Sequence, residues 1–346
     1  MSIPQPIPAR CRAVVLDGPG ASWALREVDV PKPKPNELLI RSLACGVCHS
    51  DVATQNGKFD FITKYPLVAG HEVVGEVVAL GADIKDWAVG DRAGGAWHGG
   101  NDGTCKACAR GMPQVCTNLE VNGVTRNGGF SEYCTLVASA AIRISPSWDP
   151  VSTAPLLCAG ITAFNAIRKS NVPQGDTVAI CGIGGLGHLA IQYARKMGYR
   201  TVAVSESEEK RNDAMNLGAH LFVNSKREDA VELLQREGGA SLVVVLCPSP
   251  ELVKNMTRAL APGGSILLIA PVNGVTIDFT PLIVYGKKIR TWSSGFAAET
   301  SEAIDFAHIQ DVKCLTKQYA LGDIERAFED MNERTIRYRP VINFAL

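Results

Sequence analysis

The chain has 346 residues, 46% hydrophobic and 20% charged, which suits a globular protein long enough for two domains. Its 35 Lys and Arg balance 35 Asp and Glu, so no net field draws it to nucleic acid or an anionic membrane. No stretch approaches the roughly 20 apolar residues of a membrane helix, and the start lacks the apolar core of a signal peptide. The 11 cysteines, an odd number, argue against a disulfide framework. The expectation is a cytoplasmic protein whose thiols serve as core residues, nucleophiles or metal ligands.

The first 150 residues or so alternate short β-type runs with turns. CRAVVL (11–16), ELLIRSLAC (37–45) and EVVGEVVAL (72–80) read as strands, separated by turn-formers such as GPG (18–20) and PKPKPN (31–36). This predicts an irregular, mainly antiparallel β domain. From about residue 160 the rhythm changes to strand–helix alternation. TVAICGIGGLGHLAIQYARKMGY (177–199) reads as a buried strand, a glycine turn and an amphipathic helix. TVAVSE (201–206) is a second strand, followed by a helical stretch to Leu217. LFVN, LVVVLC and SILLIA (221–224, 242–247, 265–270) continue the series, which implies a doubly wound parallel sheet. A tail begins near residue 298 with the helical TSEAIDFA and ends in RPVINFAL (339–346), expected to pair back into the first domain. The fold class is therefore α/β, with residues 1–160 and 298–346 forming one domain and 161–297 the other.

Gly182, Gly184 and Gly187 form G-x-G-x-x-G between an apolar strand and a helix. The first glycine permits the tight turn, the second lets a pyrophosphate approach the backbone, and the third lets helix and strand pack closely. The helix N-terminus then faces the phosphates. Gly182, Gly184, Gly185, Leu186 and Gly187 are thus expected to bind a dinucleotide. An ordinary turn between strand and helix is the alternative, and the strand–turn–helix setting favours the dinucleotide. The second strand should end in an acid that bonds the adenosine ribose. Here that position is Ser205, followed by Glu206. A serine does not repel a 2′-phosphate, and Lys210 and Arg211 lie just beyond, whereas Glu206 and Glu208 would repel it. NAD and NADP both remain open on the sequence.

GVCHSD places Cys48 in a loop after a strand, and GHE places His71 and Glu72 at the start of another. Cys158 follows in CAGITAF at the domain junction. Two sulfurs and one imidazole suit Zn²⁺, which in catalytic sites takes three protein ligands and keeps a fourth position open. Each residue alone is more often core. The motifs KPKPNELLI, CGVCHSD, AGHEVVGEVV, GDR, CAGITAF, GIGGLGHLAIQYA and LGA together resemble the zinc-containing medium-chain alcohol dehydrogenases, especially the yeast-type branch, over nearly the whole length.

That resemblance implies a GroES-like catalytic domain and a Rossmann domain, with zinc and NAD or NADP. It assigns Cys48, His71 and Cys158 to a catalytic zinc, with Glu72 beside it as an alternate ligand and Asp51 holding the His71 ring. Ser50 matches the relay hydroxyl that accepts the substrate proton. His49 and Arg339 match positions that contact the cofactor pyrophosphate, and Phe59 and Trp97 match bulky pocket residues. The chain departs from the yeast type at Ala53, where that branch has a histidine in the proton relay; His49 or water is the expected substitute.

The family's structural zinc lobe reads C-x2-C-x2-C-x7-C. Its last three positions match Cys105, Cys108 and Cys116, and its first is Asp102. A carboxylate can bind zinc, so a Cys₃Asp site is expected. The rivals are completion by His98, a metal-free lobe, or Asp102 as a loop charge only. Cys45, three residues before Cys48, imitates a redox pair and is read as strand packing. Cys11, Cys134, Cys181, Cys247 and Cys314 are read as core. The implied activity is hydride transfer between a small-molecule alcohol or aldehyde and the nicotinamide. The rivals are a zinc-free quinone or enoyl reductase, or a non-enzymatic protein on the same scaffold. The absence of a long insertion after Asn118 resembles the tetrameric yeast-type branch, and that resemblance implies a homotetramer or homodimer.

Overall fold

The computed structural model describes residues 6–346. The chain forms two units. The first comprises the residues up to Ile161 with Gly295–Asp305 and Lys313–Leu346; the second comprises Thr162–Ser294 with Phe306–Val312.

In the first unit the strands are β1 (Arg10–Leu16), β2 (Ala24–Asp29), β3 (Glu37–Gly46), β4 (Leu67–Val68), β5 (Val73–Leu80), β6 (Arg92–Gly95), β7 (His98–Gly100), β8 (Glu120–Val121), β9 (Tyr133–Val137) and β10 (Ile142–Arg143). β3 is the long central strand. It pairs antiparallel with β5 through two register shifts and with β9. Seven of its ten residues are apolar, counting Gly46, and eight are buried, because both faces are covered. Trp23 stacks on Phe328 at 4.4 Å, with Phe130 edge-on to both, and this aromatic group anchors the core.

The second unit carries β11 (Thr177–Cys181), β12 (Arg200–Ser205), β13 (Leu221–Asn224), β14 (Ala240–Val245), β15 (Leu260–Leu268) and β16 (Lys288–Thr291). All its strand pairings are parallel, in the order β13-β12-β11-β14-β15-β16. The chain leaves β11 in the middle, winds to one edge and then crosses to the other. The first unit's tail supplies β17 (Thr316–Tyr319) and β18 (Arg339–Asn343). β18 pairs antiparallel with β3, Val341 opposite Gly46, so the last strand does return to the first sheet.

The helix Ala297–Ile309 is shared between the units. Phe306 packs on Phe164 and Tyr193 at ring distances of 5.1 and 6.0 Å, which draws the helix's end into the second unit. Among the described residues no single helix is long and apolar enough to cross a membrane.

Candidate metal centre and dinucleotide site

The metal centre begins where β3 ends. Cys48 caps the helix His49–Gln55 with extended backbone, so its side chain stays at the strand end. Asp51, in that helix's first turn, is buried and gathers three N–H donors. Its Oδ2 accepts from the Cys48 amide at 2.9 Å; its Oδ1 accepts from the Gly70 amide at 3.3 Å and lies 3.1 Å from His71 Nδ1. One carboxylate thereby ties the cysteine loop to the histidine strand. It also fixes the ring through Nδ1, so that Nε2 is aimed at the neighbouring thiols.

His71 Nε2 is buried and makes no hydrogen bond. A buried nitrogen without a partner is costly unless something else binds it. The thiols of Cys48 and Cys158 lie near: the ligand atoms of Cys48, His71, Glu72 and Cys158 all fall within 4.8 Å of one another. Cys158 sits at the start of the helix Ala159–Arg168, three residues before the first unit ends. The Cys158 thiol beside it, with His71 and Arg339, holds Cys48 well below the ordinary thiol range despite burial. Burial pulls His71 down, but Asp51 and Cys48 outweigh it and raise it well above its usual value. An anionic sulfur, a second thiol and an oriented imidazole are a donor set that fits Zn²⁺.

Glu72 is fully buried. Burial pushes it up to about 7 against the pull of Arg339. Arg339 in β18 donates from Nη2 to both Glu72 oxygens at 2.5 and 2.6 Å and is itself 2% exposed. Expected as a pyrophosphate contact, Arg339 here faces inward on Glu72. Nothing near either residue in the chain marks this pair, although an acid inside the apolar run GHEVVGEVV needs a buried cation somewhere. Ser50 and His49 open the helix beside Cys48, Ser50 half-buried and His49 exposed. Ala53 lies one turn further on, half-buried. Trp97 stands edge-on to His71 at 5.1 Å, and Phe59 edge-on to Trp97 at 5.7 Å, so both predicted pocket aromatics flank the centre.

The second cluster is Asp102, Cys105, Cys108 and Cys116, again within 4.8 Å. Cys105 Sγ lies 3.6 Å from Cys108 Sγ and 3.8 Å from Cys116 Sγ, and Cys108 Sγ lies 3.6 Å from Asp102 Oδ1. Zn–S bonds of about 2.3 Å and Zn–O bonds of about 2.1 Å in a tetrahedron give edges of about 3.8 Å between sulfurs and about 3.6 Å between sulfur and oxygen. The lobe's spacing fits that figure. The amides of Cys108 and Thr117 lower the Cys105 thiol to about 6, so one ligand is a thiolate at neutral pH. Asp102 also accepts the amides of Thr104 and Cys105 and the Asn118 side chain, which fix its orientation. His98, the rival fourth ligand, lies in β7 outside this group.

In the second unit Gly182 adopts φ +102°, open to glycine and little else. A Cβ on Gly184 would meet nothing within 4 Å, whereas one on Gly187 would lie 2.0 Å from the Gly182 carbonyl oxygen. The second glycine therefore leaves its face clear and the third allows the close approach. His188 donates its amide to the Gly184 carbonyl at 3.0 Å, so the helix Gly187–Lys196 starts directly over the turn. Gly185 and Leu186 lie between, at the helix start, where the first amides have no intrahelical acceptor and are available to an anion. Ser205 ends β12, and Lys210 donates to the Ile183 carbonyl at 2.6 Å. Glu206 sits on the exposed surface against Lys226.

Residues 34–146 match the alcohol dehydrogenase GroES-like domain, and residues 185–308 match the zinc-binding dehydrogenase domain. The chain is 44% identical over 335 residues to the alcohol dehydrogenase patD of Penicillium expansum, covering 97% of this chain and 98% of that one. It is 33% identical to an alcohol dehydrogenase of Geobacillus stearothermophilus, covering 96% and 98%. The solved structure of the alcohol dehydrogenase of Aeropyrum pernix superposes with a TM-score of 0.87 at 26% identity, covering 96% of this chain and 99% of that one. With both domains matched and the relatives aligned along nearly their whole length, the chain belongs to the zinc-containing medium-chain alcohol dehydrogenase family and is an oxidoreductase.

Proposed function

We propose that this oxidoreductase is a zinc-dependent, NAD(P)-linked alcohol dehydrogenase or aldehyde reductase for a small primary, aromatic or secondary alcohol and its carbonyl partner. The observation that carries the reading is His71. Its ring is held by Asp51, and its buried Nε2 has no hydrogen bond and lies beside two thiols. Cys48, His71 and Cys158 would hold the metal, with Glu72 retained by Arg339 as the alternate ligand. A bound Zn²⁺ supplies Lewis acidity that polarises the substrate oxygen and eases loss of its proton.

The chain's own residues do the rest. Ser50, two residues from Cys48, takes the alcohol proton in oxidation and returns it in reduction. With Ala53 in place of a relay histidine, the proton leaves through His49 or water. Phe59 and Trp97 give the substrate apolar, aromatic walls, which favours an apolar substrate body. The glycine turn Gly182–Gly187 would bind the dinucleotide's pyrophosphate through backbone amides. Asp102, Cys105, Cys108 and Cys116 would bind a second, structural zinc that closes their lobe.

Metal content and cofactor turnover with a simple primary alcohol and an aromatic aldehyde test this, with Cys48→Ala beside the unaltered chain. The expected result is two zinc ions per chain and turnover in the unaltered protein, against one zinc and a loss of at least about a thousandfold in kcat/KM in the variant. Equal turnover in Cys48→Ala would refute zinc dependence.

A further inference from the structure

In a dinucleotide fold the strand after the glycine helix ordinarily ends in a carboxylate that bonds the adenosine ribose. β12 ends instead in Ser205, whose hydroxyl accepts the Ser207 amide at 3.3 Å. The acids that follow are drawn aside. The Glu208 carboxylate binds Arg211 on one oxygen and the Asn224 amide, at 2.8 Å, on the other. Arg211 is in turn occupied by Glu208 and Glu228 and lies over the Phe222 ring. Glu206 contacts Lys226 at 3.2 Å with both side chains about two-thirds exposed, 68% and 67%. Glu209 is exposed as well.

Two ammonium groups lie on the segments around Ser205. Lys210 spans from the turn after β12 to the Ile183 carbonyl in the glycine turn, across the space between strand end and phosphate loop. Lys226 is carried by the turn after β13. That turn is pinned to β12, since Ser225 donates its amide to the Ser205 carbonyl at 3.0 Å and Asn224 lies opposite Ser205 in the parallel register. An exposed pair such as Glu206–Lys226 is weak, so Lys226 can exchange its carboxylate for a doubly charged phosphate at little cost.

We propose that this chain selects the 2′-phosphorylated cofactor, NADP(H), over NAD(H), with Ser205 admitting the phosphate and Lys210 and Lys226 neutralising it. A carboxylate at the strand end would repel that phosphate, and the half-exposed neighbour Glu208 is neutralised by Arg211 and held towards β13. The inference rests on the reading of the glycine turn as a dinucleotide site.

Calorimetric titration of the full chain with NADPH and with NADH, in the absence of substrate, tests it. The expected result is NADPH binding at least about tenfold tighter, with an advantage that shrinks as salt rises. Ser205→Asp should reverse that advantage, weakening NADPH at least about tenfold through repulsion of the 2′-phosphate while NADH binds as tightly or more tightly through the new ribose contact. Lys226→Ala should weaken NADPH about fivefold and NADH hardly at all. As a fragment control, 2′,5′-ADP should compete better than 5′-AMP. NADH binding as tightly as NADPH to the unaltered chain would overturn the proposal while leaving the dinucleotide site standing. Failure of both cofactors to bind would overturn the dinucleotide reading and this selection with it.

Discussion

Asp102 occupies the place of a cysteine, and its surroundings show what that exchange demands. A thiolate ligand needs only its sulfur aimed at the metal, whereas a carboxylate must be turned so that one oxygen faces the ion. Thr104 and Cys105 donate their amides to Oδ1 and Asn118 donates its side chain to Oδ2, which fixes the carboxylate plane. These donors hold the Asp102 carboxyl well below the usual carboxylate range, the Cys105 amide first among them, so it is ionised at neutral pH. We expect Asp102→Ala to lose one zinc of two and to lower Tm by several degrees, and Asp102→Cys to retain both metals. Elemental analysis and a thermal melt read this; equal zinc and equal Tm in Asp102→Ala would end the ligand assignment. The three cysteines were legible from their spacing, and Asp102 from where it falls in the pattern. Asn118 was not, because an amide that orients a ligand leaves no periodic trace in a sequence.

The elements that read most clearly are those whose sequence is a mostly apolar run. Leu221–Asn224 is a strand over the expected residues, and β3, β5 and β12 fall within a residue of theirs. β16 is different: KIRT alternates charge with one isoleucine and lies at the sheet's edge, so nothing apolar marks it. β2, ALREVD, is missed for the same reason. The glycine turn is legible because three conformational demands fall at fixed spacing, and the structure separates those demands. Gly184 has open space where a Cβ would go, while Gly187 abuts the Gly182 carbonyl. Gly184→Ala should therefore fold with unchanged Tm and lose dinucleotide affinity by about tenfold or more, because only the incoming pyrophosphate meets the methyl group. Gly187→Ala should lose affinity and stability together, by about 1–3 kcal/mol, since the helix must move off the strand. Titration and denaturant unfolding of the pair decide it. Equal destabilisation by both would contradict the distinct roles.

At the scale of the whole molecule, contacts distant in sequence are what the chain conceals. The metal centre draws on Cys48, His71, Cys158 and, through Glu72, on Arg339, 267 residues away in the last strand. The buried Glu37 is met by Arg126 at 2.6 Å from a loop 89 residues on. Neither partnership has a local signature. Self-association is the remaining question at this scale, and the second unit carries the relevant surface. β16 closes one edge of its sheet, so among the described residues one row of its backbone groups has no partner strand. Beside it the helix Thr280–Val284 and the following turn expose Ile283 at 79%, Val284 at 68% and Tyr285, with Ile289 on β16 itself also exposed. An edge strand accompanied by exposed apolar side chains is an aggregation liability in a monomer and a pairing surface in an oligomer. We expect the protein to associate through this edge as a homodimer or homotetramer. Replacing both Ile289 and Val284 by Lys places two charges on the surface that two copies would bury, and light scattering after size exclusion should then read half or a quarter of the parent mass. The zinc ligands lie in the other unit, so metal content should stay at the parent value and distinguish dissociation from unfolding. A parent chain already monomeric at micromolar concentration, or a double variant of unchanged mass, would rule this edge out as the interface.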